Sequence, residues 1–211
     1  MNTFEKALAG MLGNEKVAHF QKVKVGIAGA GGLGSNCAMF LTRCGFKKFR
    51  IVDFDVVEIS NLNRQFYFAA QVGQKKATAL RQNLLLINPD LEIEAVAERI
   101  EQDNVEDFFC DCDVVVEAFD GAVYKKMLVE AYMNSGKLVV SASGLAGWGR
   151  SDDITVHRIR DNFYLVGDLM SAVSADLPPM APRVTVAAAK QADVILNYFM
   201  KNINGGDHDN K

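Results

Sequence analysis

A chain of 211 residues with 49% apolar and 23% charged residues is long enough to bury one substantial core, and that balance excludes a largely disordered polypeptide. The net charge is −3 with Lys and Arg spread along the chain, so no broad cationic face is available and nucleic acid is not expected as a partner. No apolar run precedes Glu5 and Lys6, so neither a secretory leader nor a membrane span is expected, and the expected setting is the cytoplasm.

Residues 1–22 read as a helical lead-in, with Phe4, Leu8, Met11 and Leu12 at helical spacing. Val23 to Ala28 is a short run rich in Val and Ile that suits a strand buried on both faces. Gly29 to Gly34 is then a turn, and Ser35 to Cys44 an apolar helix closed by Gly45. Lys48 to Phe54 reads as a second strand, and strand, helix, strand in this order demands a parallel pair with a right-handed crossover. Val72 to Ile87 has helical periodicity that stops at Asn88-Pro89, and Leu91 to Ala97 alternates as a strand. Val114 to Ala118 and Leu138 to Ala142 are two further strands around a helix from Tyr124 to Met133. After Gly144 the pattern changes to an antiparallel hairpin, Ile154 to Ile159 and Phe163 to Val166, turning at Asp161-Asn162. Three of the four prolines fall between Asp176 and Pro182, an irregular stretch before a long helix from Val184 to Met200. The tail over 202–211, which contains Gly205-Gly206, reads as flexible. The expected fold is a single α/β domain over 23–201, a doubly wound and mainly parallel sheet flanked by helices, with a small antiparallel C-terminal extension.

Gly29-Ala30-Gly31-Gly32-Leu33-Gly34 matches G-x-G-x-x-G between a strand and a helix, the context in which glycines let backbone approach phosphates at a helix N-terminus. Asp53 lies nineteen residues beyond Gly34, at the end of the second strand, where a carboxylate accepts hydrogen bonds from ribose hydroxyls. NAD and ATP both carry such a ribose, so the loop and Asp53 leave the nucleotide open. The following segment, Asp53-Phe54-Asp55 through Asn61-Leu62-Asn63-Arg64-Gln65 to Gly73-Gln74-Lys75-Lys76, favours ATP: Arg64 and Lys76 are well placed to neutralise the β and γ phosphates of a triphosphate, which NAD does not carry. Cys37 and Cys44, seven apart on one helix, are too distant for a disulfide, and Cys110-Asp111-Cys112 lacks the neighbouring Cys or His that a zinc site needs.

These motifs together resemble the ThiF/MoeB/HesA family of ATP-dependent activating enzymes, related to the ubiquitin-activating enzymes. The resemblance covers about Val23 to Leu145 and is nearest to the compact ThiF group. It implies a Rossmann-like fold and ATP-dependent adenylylation of the C-terminal glycine carboxylate of a small ThiS-like sulfur carrier, in thiamine thiazole synthesis. It assigns Gly29, Gly31, Gly32, Leu33, Gly34, Asp53 and Asp55 to the nucleotide, Asn61, Arg64 and Lys76 to its phosphates, and Asp120 to Mg²⁺. It also implies a homodimer. Taken alone, Asp120 reads equally well as the cap of the following helix. Two features depart from the family pattern. No cysteine follows Cys112, so neither a thiolate zinc site nor a later sulfur-transfer cysteine is expected. No arginine precedes Arg43, so the arginine that relatives supply across a dimer has only Lys16, Lys22 or Arg183 as substitutes. Other readings are activation of a different carboxylate (a small molecule, a peptide or a tRNA nucleoside), an NAD-dependent oxidoreductase, and a nucleotide-binding module without catalysis.

Overall fold

The computed structural model describes residues 1–204, built around one seven-stranded sheet in the order β3-β2-β1-β4-β5-β7-β6. The strands are β1 (Lys24–Ala28), β2 (Lys48–Val52), β3 (Glu92–Val96), β4 (Val114–Glu117), β5 (Leu138–Ala142), β6 (Thr155–Arg160) and β7 (Phe163–Gly167). β1 to β5 are parallel, as the apolar runs and intervening helices require. The hairpin is not an appendage, because β7 joins β5 in parallel while β6 lies antiparallel outside it as the edge. The chain first builds outward from β1 through β2 to β3, then returns to place β4 on the other side of β1. That reversal opens a crevice at the carboxyl ends of β1 and β4.

The helices are α1 (Thr3–Leu12), α2 (Asn14–Phe20), α3 (Gly32–Arg43), α4 (Lys76–Leu85), α5 (Val105–Phe108), α6 (Ala122–Tyr132) and α7 (Ala181–Asn204). One sheet face buries Val25, Ile27, Phe49 and Ile51 beneath α2, α3, α4 and α7, and the other buries Val52, Val115 and Val139 beneath α5 and α6. With α5 only four residues long, a charge network covers the rest of the second face. Lys24 Nζ bonds Glu94 Oε1 and Asp111 Oδ2 at 2.6 Å each, and Arg50 bridges the same two carboxylates. Asp111 of the C-x-C segment is thereby pinned. Cys112 is buried, with its thiol pushed up to about 12, chiefly by desolvation.

Four boundaries differ from the sequence expectation, one of them at α3, which begins at Gly32 inside the expected turn and not at Ser35, because Gly31 already serves as its N-cap. The lead-in is two helices, broken at Gly13, whose φ of 91° no helix continues. The helix expected from Val72 begins at Lys76, because Gly73 turns at φ 88° and Lys75 bridges to Val56 as extended backbone. The last helix begins at Ala181, taking Pro182 into its first turn, where no N–H is missed. It also runs on through 202–204, the start of the expected tail, while Gly205-Gly206 and the rest of that tail lie outside the described residues.

α1 is fastened by a buried carboxylate. Glu5 accepts from Lys47 Nζ at 3.1 Å and Asn88 Nδ2 at 3.4 Å, and its side chain completes a capping box with Asn2. Burial alone would raise the Glu5 pKa, but these bonds outweigh it and hold the group below its ordinary value of 4.5. A lowered folded-state pKa gives stability that is fully present above the unfolded value and lost as pH falls through the folded one. Glu5→Gln should therefore flatten the fall in denaturation midpoint on acidification below pH 4.5. An acid profile identical to wild type would remove Glu5 from that role.

Candidate active site

β1 is buried from Val25 to Ala28, and delivers its chain end to the crevice as the glycine turn. Gly29 turns at φ 95°, and its N–H bonds Val52 O at 2.9 Å. Gly34 packs so tightly that a Cβ there would overlap the Gly29 carbonyl, so helix α3 starts directly beneath the turn. Gly31 is the N-cap and offers no side chain, and the N–H groups of Gly31, Gly32 and Leu33 have no acceptor among the described residues. Together with the positive end of α3, they form a place for an anion.

Asp53 braces this loop. Its Oδ2 accepts from Ala30 N at 2.6 Å and its Oδ1 from Asp55 N at 2.8 Å. Burial raises its pKa, opposed by those two N–H groups and by the charge of Lys76. Lys76 itself is only 7% exposed, and its Nζ pairs with Asp55 Oδ2 at 3.0 Å. It opens α4, where the helix dipole disfavours a cation, so this ammonium is poised for more negative charge than Asp55 provides.

Asn61 and Arg64 occupy the segment between β2 and α4. Asn61 is buried, and its Oδ1 accepts from Glu58 N at 3.0 Å, closing a single 3-10 turn over Ile59–Asn61. Its observed work is to shape the turn that presents Arg64, whose N–H bonds Asn61 O at 3.1 Å. The Arg64 stem lies against Gly32, and its guanidinium bonds Asn63 Oδ1 at 2.7 Å at the surface. Asn36 of α3 holds this segment down, its Nδ2 donating to Gly32 O at 2.6 Å and Arg64 O at 2.9 Å.

Asp120 stands on the bend after β4, exposed, with no hydrogen bond or ion pair among the described residues. The helix-cap reading does not hold: Gly121 is the N-cap of α6, without a side-chain bond. The preceding Ala118 and Phe119 pack on Gly29, so the Asp120 bend adjoins the glycine turn. As a lone carboxylate it fits Mg²⁺, which takes one or two carboxylates and draws its other ligands from phosphate and water. Arg183 is unavailable as a substitute arginine: it is 4% exposed, ion-paired with Asp168, and donates to Gly149 O and Arg150 O. Lys22 precedes β1 and so lies at the opposite, amino edge of the sheet.

Sequence reasoning passed over three groups here. Glu117, fully buried at the end of β4, accepts from Phe119 N at 2.7 Å, Ser141 Oγ at 2.5 Å and Lys125 Nζ at 3.1 Å, and so fixes the Asp120 bend. Gln65 is 9% exposed beside Gly31, its Oε1 without a partner among the described residues. Tyr67 sits beneath the loop. Only Glu117, a charge ending an apolar strand, left a signal in the sequence.

A glycine turn at the reversal of a doubly wound sheet, flanked by a braced carboxylate and a buried lysine, defines a nucleotide-binding α/β domain. The chain belongs to the ThiF family, whose profile matches residues 5–163. It is 37% identical over 131 residues to the adenylyltransferase and sulfurtransferase UBA4 of Candida glabrata, covering 62% of this chain and 30% of that protein. It is 49% identical over 70 residues to ubiquitin-like modifier-activating enzyme 5 of Caenorhabditis elegans, covering 33% of this chain and 17% of that one. The chain thus spans under a third of the length of these relatives. The fold matches E. coli tRNA N6-threonylcarbamoyladenosine dehydratase TcdA in complex with ATP, with a TM-score of 0.80 at 20% identity, covering 98% of this chain and 96% of that one. E. coli MccB with AMPCPP and MccA matches with a TM-score of 0.70 at 21% identity, covering 89% of this chain and 58% of that one.

Proposed function

We propose that this chain binds ATP in the crevice between β1 and β4 and transfers its adenylyl group to a carboxylate, that of the C-terminal glycine of a small ubiquitin-like carrier protein. The observation that carries the reading is the buried Lys76 ammonium at the start of α4, next to a glycine turn whose Gly31, Gly32 and Leu33 N–H groups have no acceptor among the described residues. An NAD site has no use for that cation. The sequence relatives named for adenylylation and for activating ubiquitin-like modifiers support a protein carboxylate, and a ThiS-like sulfur carrier ending in Gly-Gly is the particular candidate. Activation of a tRNA nucleoside is the second reading, favoured by the TcdA fold match over nearly the whole chain. We place the enzyme in the cytoplasm as a homodimer, a state that light scattering measures.

A glycine carboxylate is ionised near neutral pH, so no general base is needed. One carboxylate oxygen forms a bond to the α-phosphorus, the bond from that phosphorus to the bridging oxygen breaks, and pyrophosphate leaves with the electron pair. Arg64 and Lys76 neutralise the leaving charge, while the N–H groups of Gly31 to Leu33 hold phosphate oxygens. Asp120 is the residue that would hold Mg²⁺, which would supply further charge neutralisation on the phosphates. ATP–pyrophosphate exchange should depend on the carrier and on Mg²⁺, and should vanish in Arg64→Ala and Asp120→Ala. Normal exchange in both variants would sink these residue roles. Exchange stimulated by tRNA and not by carrier would move the proposal to the second reading. ATP binding without exchange on any carboxylate would leave a binding module.

A further inference from the structure

Tyr67 lies in the core beneath the glycine turn, 6% exposed, and its hydroxyl approaches Ala30 O at 2.7 Å and Lys76 O at 3.2 Å. Ala30 is fully buried, and its own N–H is held by Asp53 at 2.6 Å. The residue between the first two glycines of the loop is therefore gripped on both sides, by a carboxylate on its N–H and a phenol on its carbonyl. A trans peptide is planar, and its C=O and N–H point in opposite directions. No peptide here is cis. Drawing the Ala30 carbonyl down into the core thus turns the Gly31 N–H up and out, into the space where phosphate is proposed to sit.

We propose that Tyr67 is a positioning residue for the nucleotide's phosphates: its hydroxyl fixes the Ala30–Gly31 peptide so that Gly31 N–H faces the anion, and its contact with Lys76 O ties that plane to the start of α4. The inference rests on the nucleotide reading above. Several contacts hold the ring in place. Phe66 N donates to Ser35 Oγ at 3.0 Å, and Asn83 Nδ2 donates to Phe66 O at 2.8 Å, so the backbone entering Tyr67 is anchored to α3 and α4. Burial, with the nearby Asp53 charge, holds the phenol pKa far above its ordinary value, so the hydroxyl keeps its proton at any working pH. Lacking the hydroxyl, the Ala30 carbonyl would have to find another partner, and the peptide plane would be free to tilt.

Tyr67→Phe removes the hydroxyl and keeps the ring. Titration calorimetry on the wild type and this variant, with ATP, AMP and adenosine as probes, separates phosphate positioning from general loosening. The expected result is about tenfold weaker binding of ATP and AMP in Tyr67→Phe, the scale of one lost hydrogen bond, with adenosine bound as in the wild type. Equal ATP and AMP affinities in the two proteins would overturn the role of Tyr67, and so would an equal loss for adenosine. A wild type that binds no ATP would overturn the nucleotide reading itself. A second measurement needs no variant: the Gly31 amide resonance of the wild type should shift on adding AMP and stay in place on adding adenosine. A Gly31 amide indifferent to AMP would overturn the proposal even if Tyr67→Phe failed to fold.

Discussion

Replacing Lys76 by alanine is expected to lower the rate of ATP–pyrophosphate exchange by about 10²–10³-fold, the cost of removing one preorganised charge from a transition state. The ammonium is 7% exposed and sits at the first residue of α4, so solvent screens it little and no other described lysine is hydrogen bonded to Asp55. In the proposed reaction its value lies in the leaving pyrophosphate, whose negative charge grows as the α-phosphorus bond breaks. Arginine at this position should restore little, since its planar fork does not reproduce the compact point charge of the buried ammonium. The checking measurement is exchange rate at saturating ATP, together with nucleotide affinity. Affinity should fall much less than rate, because the charge being neutralised is larger in the transition state than in bound ATP. A Lys76→Ala enzyme with undiminished turnover would remove the residue from the chemistry.

The second large effect concerns folding. Arg183→Met should destabilise the protein by about 3–5 kcal/mol, the range for breaking a buried ion pair from one side, and lower its melting temperature by roughly 10 °C at 2–4 °C per kcal/mol for a chain of this size. Arg183 pairs with Asp168 and donates to the carbonyls of Gly149 and Arg150. Asp168 in turn accepts from Met170 N and Ser171 N at 2.8 Å each. Two loops at the carboxyl edge, after β5 and after β7, are thus organised by one guanidinium at the start of α7. Removing Asp168 as well, in Arg183→Met with Asp168→Leu, should recover part of the loss, since no charge is then left unpaired. A thermal melt of the single variant within 2–3 °C of wild type, roughly 1 kcal/mol on the same scale, would contradict this account.

β1, β2, β4 and β5 were legible because parallel sheet buries both faces, and the runs at Val23, Lys48, Val114 and Leu138 declare that burial without reference to partners, whereas the edge strand β3 was legible from its alternation. The glycine turn was legible for a related reason: only glycine satisfies the φ of Gly29 and the contact at Gly34. The start of α4 was not, since Val72 and the residues after it continue a helical period, and a bridge from Lys75 to Val56, nineteen residues earlier, overrides it. The joining of β7 to β5 was hidden likewise, because a hairpin pattern says which strands pair locally and nothing about which of them meets the sheet. Within the site, charged residues following the glycine turn announced themselves. Glu117 showed only as a charge ending an apolar strand, and Tyr67 not at all, because its role is fixed by a contact 37 residues away in sequence.

The ion pair between Lys76 and Asp55 bears on how the site fills. Asp55 holds the Lys76 ammonium in position by a 3.0 Å ion pair. If phosphate binds at Lys76 as proposed, loading the site exchanges one anion for another, and the half-exposed Asp55 carboxylate is the partner free to turn back to water.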